Sequence, residues 1–76
     1  MSPIPVHAEV SGTVARLTAP LGALLQPDDE LLVLESMKME ISCQAPAGGR
    51  LARLLVGEGE LVEEGQLLAE IEHQRP

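Results

Sequence analysis

Lys38, bracketed by methionines in Met37-Lys38-Met39, is the only lysine of the 76-residue chain. Any chemistry that uses a side-chain primary amine as nucleophile therefore has a single seat. The remaining polar candidates form no reactive constellation. His7 and His73 flank the chain ends, and Cys43 is the lone cysteine, so no metal-ligand cluster can be assembled from the spacing. No nucleophile–base pair and no phosphate-binding glycine loop is present, and the "GEGE" turn is acidic and would repel phosphate. The residues to explain are Lys38 and its two soft, apolar neighbours.

The elements that must position the lysine read as β throughout. Short apolar or alternating runs, "GTVARL", "ELLVLE", "MEISCQ", "GRLARLL" and "QLLAEIE", are separated by the turn clusters "TAPLG", "QPDD", "APAGG" and "GEGE". No segment sustains a helical period. Placing Met37-Lys38 in a two-residue loop pairs Ser36 with Met39, Glu35 with Glu40 and Leu34 with Ile41. Leu32, Leu34, Ile41 and Cys43 then share one face, which predicts the core side, with Cys43 as a small buried apolar residue. Glu35, Glu40 and Ser42 share the other, where the glutamates keep an edge hairpin soluble. Two-residue hairpin loops favour Asn and Gly because their central residues adopt positive φ. Met and Lys there cost about 1 kcal/mol each. A local rule broken without structural gain marks a functional position.

The chain is also an internal repeat. Shifted by thirty-seven residues, Ile4 falls on Ile41, Ala8 on Ala45, Gly12 on Gly49, Leu24 on Leu61 and Glu35 on Glu72. Two copies predict a pseudo-twofold fold in which each half covers the apolar face of the other, a small sandwich or flattened barrel of two antiparallel sheets. The same shift takes Lys38 to Met1 and Arg75, which places the chain ends opposite the tip.

Bulk properties set the limits. Seventy-six residues suffice for one small domain with a modest core, built without Phe, Tyr or Trp. The net charge of −7 disfavours nucleic acid and membrane surfaces. One cysteine, no signal-like start and no long apolar run point to the cytoplasm. The opening Met1 and closing "HQRP" suit a natural short protein.

Glu35-Ser36-Met37-Lys38-Met39-Glu40-Ile41 resembles the attachment hairpin of biotinyl domains, the carrier modules of biotin-dependent carboxylases, where the pattern is usually Ala-Met-Lys-Met. "QAPAGGRLARLLVGEGELVEEGQLLAEIE" resembles the rest of that family's signature, and the likeness runs from about Val6 to Glu72. Ser36 stands for the usual Ala, and Pro20 and Asp28 stand where the second repeat has Gly57 and Gly65. The halves are equal in length, so the protruding thumb of some bacterial carriers is expected to be missing.

The resemblance implies a barrel-sandwich hybrid of the biotinyl/lipoyl type spanning residues 1–76 as a single carrier domain. It implies that a biotin–protein ligase joins biotin to Lys38 through an amide. The arm would then carry a carboxyl group between biotin carboxylase and carboxyltransferase subunits or domains, with an acyl-CoA as the first choice of acceptor and a urea-type carboxylase or a decarboxylase complex as the alternatives. Met37 and Met39 would contact those partners, since Met adapts to several surfaces. The domain itself would catalyse nothing. The nearest rival is a lipoyl carrier, or a module accepting both groups, although a lipoyl lysine usually follows Asp and precedes Ala. An assembly module like those of membrane-fusion adaptors would need a helical hairpin that residues 36–40 leave no room for.

Overall fold

Apolar runs of four to seven residues, too short for helices and bounded by Pro, Gly and Asp turns, pair into strands that are all antiparallel. The computed structural model describes residues 3–73. The strands are β1 (Ile4–His7), β2 (Gly12–Leu17), β3 (Leu24–Leu25), β4 (Glu30–Ser36), β5 (Met39–Gln44), β6 (Gly49–Leu54), β7 (Leu61–Val62) and β8 (Leu67–Glu72). They form two four-stranded sheets, ordered β1-β8-β6-β3 and β5-β4-β2-β7. The shift of thirty-seven residues carries the first sheet onto the second strand for strand. The expected all-β, pseudo-twofold sandwich is therefore the fold.

The irregularities repeat as well. The register slips between Val14 and Arg16 in β2 and between Leu51 and Arg53 in β6. It slips again opposite Leu31 and opposite Leu68, one repeat apart. A bulge puts an extra residue into one strand and re-aims its side chain. Leu31 and Leu68 are both fully buried, so the bulges add a core leucine to each half. The core cluster shows the same symmetry throughout. Val6, Ala8, Val14, Ala19, Leu25, Leu31, Leu32 and Leu34 each have a partner thirty-seven residues on, from Cys43 to Ile71. Each buried Leu or Ile contributes about 1.5–3 kcal/mol, and no buried side-chain polar atom among the described residues lacks a hydrogen-bond partner.

Three strands were not anticipated. β3 and β7 are only two residues long, below the length at which alternation is visible. β1 contains Pro5, which demotes a run as a strand candidate, and β1 is indeed a sheet edge, where Pro is tolerated. Ile41 also departs from expectation. It is only half-buried and lies outside the core cluster, because β5 is an edge strand and Ile41 sits close to the hairpin turn.

The described chain measures 41 × 18 × 17 Å, long and narrow. The β4–β5 hairpin forms one end of the long axis. β8 starts beside the loops at that end and runs away from them, so the start of β1 and the end of β8 lie opposite. The pairing Ile4↔Ile71 there reproduces Leu34↔Ile41 of the hairpin. Met1 and Arg75, the repeat equivalents of Lys38, lie outside the described residues. Among the described residues no helix is long and apolar enough to cross a membrane.

Candidate functional site

The hairpin register is the one required by its side chains: Ser36↔Met39, Glu35↔Glu40, Leu34↔Ile41, Val33↔Ser42 and Leu32↔Cys43. Leu32 and Leu34 are fully buried and anchor the ribbon in the core. Met37 and Lys38 form the turn with φ of 52° and 66°. Both lie in the left-handed region, a pair of positive values that matches a tight hairpin turn. The strain expected from Met and Lys at these positions is present.

Met37 is 93% exposed and Met39 is 64% exposed. No ion pair or hydrogen bond engages the Lys38 side chain among the described residues. An amine at the end of a stiff ribbon, flanked by two adaptable apolar side chains, can meet a partner's active site without the domain changing shape. Once acylated, such an amine loses its charge and carries whatever the acyl group supplies.

The flank of the ribbon is organised by charge. Arg16, on β2, spans β4 and holds Glu40 with two contacts of 3.1 and 3.2 Å. The Glu40 hydrogen bond and charge raise the Arg16 pKa. Glu35, directly opposite Glu40, has no ion-pair partner among the described residues. Farther down, the Ser42 hydroxyl donates to Glu30 Oε1 at 2.6 Å. Hydrogen bonding from Ser42 and then Thr18 lowers the Glu30 pKa. Just below the turn Gly12 abuts Glu35. A Cβ on Gly12 would lie 2.5 Å from the Glu35 carbonyl oxygen, so only glycine lets β2 approach this closely.

Beside the tip lies an open groove of about 510 Å³, lined by Ser11, Thr13, Glu35, Met37, Leu61 and Glu63 among others. Leu61 is 80% exposed on its rim. The structure thus brings Met37, Lys38, Met39, Glu35 and Glu40 together. It leaves out His7, whose Nδ1 lies 3.0 Å from the Gly65 carbonyl, and His73 at the far end. Cys43 is buried, and burial, followed by the charge of Glu9, pushes its thiol pKa up. It is a core residue, as expected. Arg16, Gly12 and Leu61 were not picked out from the sequence. Leu61 carried no signal beyond its repeat match to Leu24, and Arg16 and Glu40 are joined only through the order of the strands.

The family model described as biotin-requiring enzyme, covering biotin and lipoyl attachment, matches residues 21–71. Pyruvate carboxylase of Bacillus subtilis is 38% identical over 71 residues, 93% of this chain and 6% of that protein. The biotinylated protein TB7.3 homolog of Mycobacterium leprae is 35% identical over 66 residues, covering 87% of this chain and 93% of its own length. A single-chain, multi-domain long-chain acyl-CoA carboxylase of known structure superposes with a TM-score of 0.88 at 35% identity. That match covers 95% of this chain and 7% of the carboxylase. The chain therefore spans only 6% of the length of the pyruvate carboxylase that it matches.

Proposed function

The chain belongs to the biotinyl/lipoyl attachment family of biotin-requiring enzymes, and we propose that Lys38 is the residue of this chain that carries biotin. One observation carries the assignment: the sole lysine occupies a left-handed hairpin turn between two exposed methionines. The residues fit the group. An amide needs one accessible amine, and the tip offers it away from the core, with no ion pair on it among the described residues. In this reading residues 1–76 act as one carrier domain.

The chain's own contribution is mechanical and electrostatic. The buried pair Leu32 and Leu34 fixes the ribbon, the left-handed turn projects Lys38, and Met37 and Met39 give a docking partner a pliable apolar surface. Biotin, once attached, supplies the site on which a carboxyl group rides. Tethering keeps that site at an effective concentration on the order of mM for each active site within reach. The partners are a biotin–protein ligase, a biotin carboxylase and a carboxyltransferase, and the compartment is the cytoplasm. For the acceptor we take an acyl-CoA, in line with the acyl-CoA carboxylase that shares this fold at 35% identity.

Intact mass after incubation with biotin, ATP and a biotin–protein ligase tests the assignment, beside a Lys38→Arg control. One biotinyl group on the wild type and none on the control is the expected result. A chain that refuses biotin but takes a lipoyl group from a lipoyl ligase would overturn it. Reconstitution with carboxylase subunits and either an acyl-CoA or pyruvate then reads out the acceptor.

A further inference from the structure

The twofold repeat provides two copies of this groove, one beside Lys38 and one at the far end. The far groove, about 330 Å³, is lined by Leu24, Leu25, Gln26 and Gly49. Its counterparts beside the tip are Leu61, Val62, Glu63 and Gly12. The backbone is shared, so differences between the two grooves isolate what the side chains were set up to do.

They differ in hydrogen-bonding chemistry. Glu72, the far counterpart of Glu35, is tied to Arg50 at 3.0 Å, and Arg50 stands where the near groove has Thr13. The near groove leaves Glu35 and Glu63 without ion-pair partners among the described residues, so both carboxylates remain open acceptors. Ser11 has Gly48 as its counterpart. Its oxygen accepts the Glu64 N–H at 3.1 Å, which holds the hydroxyl in place and leaves its proton to donate. Leu61 supplies an exposed apolar wall, as Leu24 does at the far end. The far groove keeps the apolar wall, has Gln26 in place of Glu63, and loses the free carboxylates and the hydroxyls.

We propose that the near groove is a resting site for the ring of the biotin arm on Lys38, an inference that rests on Lys38 carrying biotin. A fused cyclic urea and thioether presents two N–H donors, one carbonyl acceptor and an apolar flank. Glu35 and Glu63 match the donors, the Ser11 and Thr13 hydroxyls match the carbonyl, and Leu61 and Met37 match the flank. Met37, which lines the groove, is the immediate neighbour of Lys38, about 3.8 Å away along the chain. The arm is far longer than that, so reach is not limiting. A rested arm is shielded from water and ordered, and a partner that binds the tip must lift it out.

Amide chemical shifts of the whole chain test this. Four samples are compared: unmodified, biotinylated at Lys38, acetylated at Lys38, and a biotinylated Leu61→Ser variant. The ring can also be placed with an activated biotin ester once the N-terminal α-amine is blocked, since Lys38 is then the only primary amine, so the test does not depend on a ligase. Biotin is expected to move residues 11–13 and 61–63 several-fold more than residues 24–26 of the far groove. Acetylation should move only residues near 37–39. Leu61→Ser should abolish the groove shifts while the far-groove signals report an intact fold. Biotin shifts confined to the tip, or unchanged in Leu61→Ser, would overturn the resting site and leave the carrier function standing. A chain whose Lys38 takes no biotin from the ligase would instead strike at the carrier function.

Discussion

Arg16 of β2 reaches across β4 to grip Glu40 of β5 with two contacts of 3.1 and 3.2 Å. The pair spans three strands of one sheet and sits on the flank of the lysine ribbon. It also keeps Glu40 from facing Glu35 as an unscreened like charge directly across the hairpin. Arg16→Gln is therefore expected to lower the urea midpoint slightly, and Glu35→Gln in the same background to restore it. Both effects should fade in about 1 M salt, where the screening length is ~3 Å. The pair is exposed, so a large loss from Arg16→Gln would mean that Arg16 holds something other than Glu40.

The turn at Met37-Lys38 gives up stability that the usual turn residues would keep. Both residues occupy left-handed backbone with φ of 52° and 66°, at about 1 kcal/mol each. Replacing them by Asn-Gly should stabilise the domain by roughly 1–2 kcal/mol, read from urea unfolding. Met37→Asn alone should recover about half of that and leave Lys38 open to acylation. A double substitution that left stability unchanged would show that the turn carries no strain.

Glu30 supplies a pH signature. Its carboxyl is held below the ordinary range, first by the Ser42 hydroxyl at 2.6 Å and then by Thr18. A lowered folded pKa adds stability that is present above the unfolded value, about 4.3. That stability is lost as pH falls through the folded value. Ser42→Ala should therefore be less stable than wild type near neutrality, with the gap closing as pH falls below about 4. A gap independent of pH would assign the loss to packing instead.

Much of this molecule was legible before any coordinates. "GTVARL" and "MEISCQ" are β2 and β5 residue for residue, and the hairpin register followed from putting Leu32 and Leu34 on one face. The repeat spacing foretold both sheets, because a core built from partners thirty-seven residues apart leaves its period in the apolar residues. Strands of two residues leave no such period, so β3 and β7 were silent. The Arg16–Glu40 pair was equally silent, since strand order is a tertiary fact. Asp28 gave a partial clue: it sits at the repeat position of Gly65, and both adopt left-handed backbone, with φ of 73° and 87°.

Gly12 and Gly49 separate two reasons for a glycine. They are repeat partners, and each would press a Cβ into the backbone of the neighbouring strand, at Glu35 and Glu72 respectively. Gly49 adds a φ of 155°, whereas Gly12 has no such backbone demand. Gly12→Ala must push the lysine ribbon aside just below its turn, which costs about 1–3 kcal/mol in a packed setting. It should also slow acylation of Lys38 by the ligase, because the displaced strand is the one that carries the turn. Gly49→Ala should cost more stability, with backbone strain added to the clash, yet leave the acylation rate of the folded fraction unchanged. Urea unfolding and initial acylation rates on the same samples separate the two effects. Equal slowing in both variants would mean that global stability, not the Gly12–Glu35 contact, sets how Lys38 is presented.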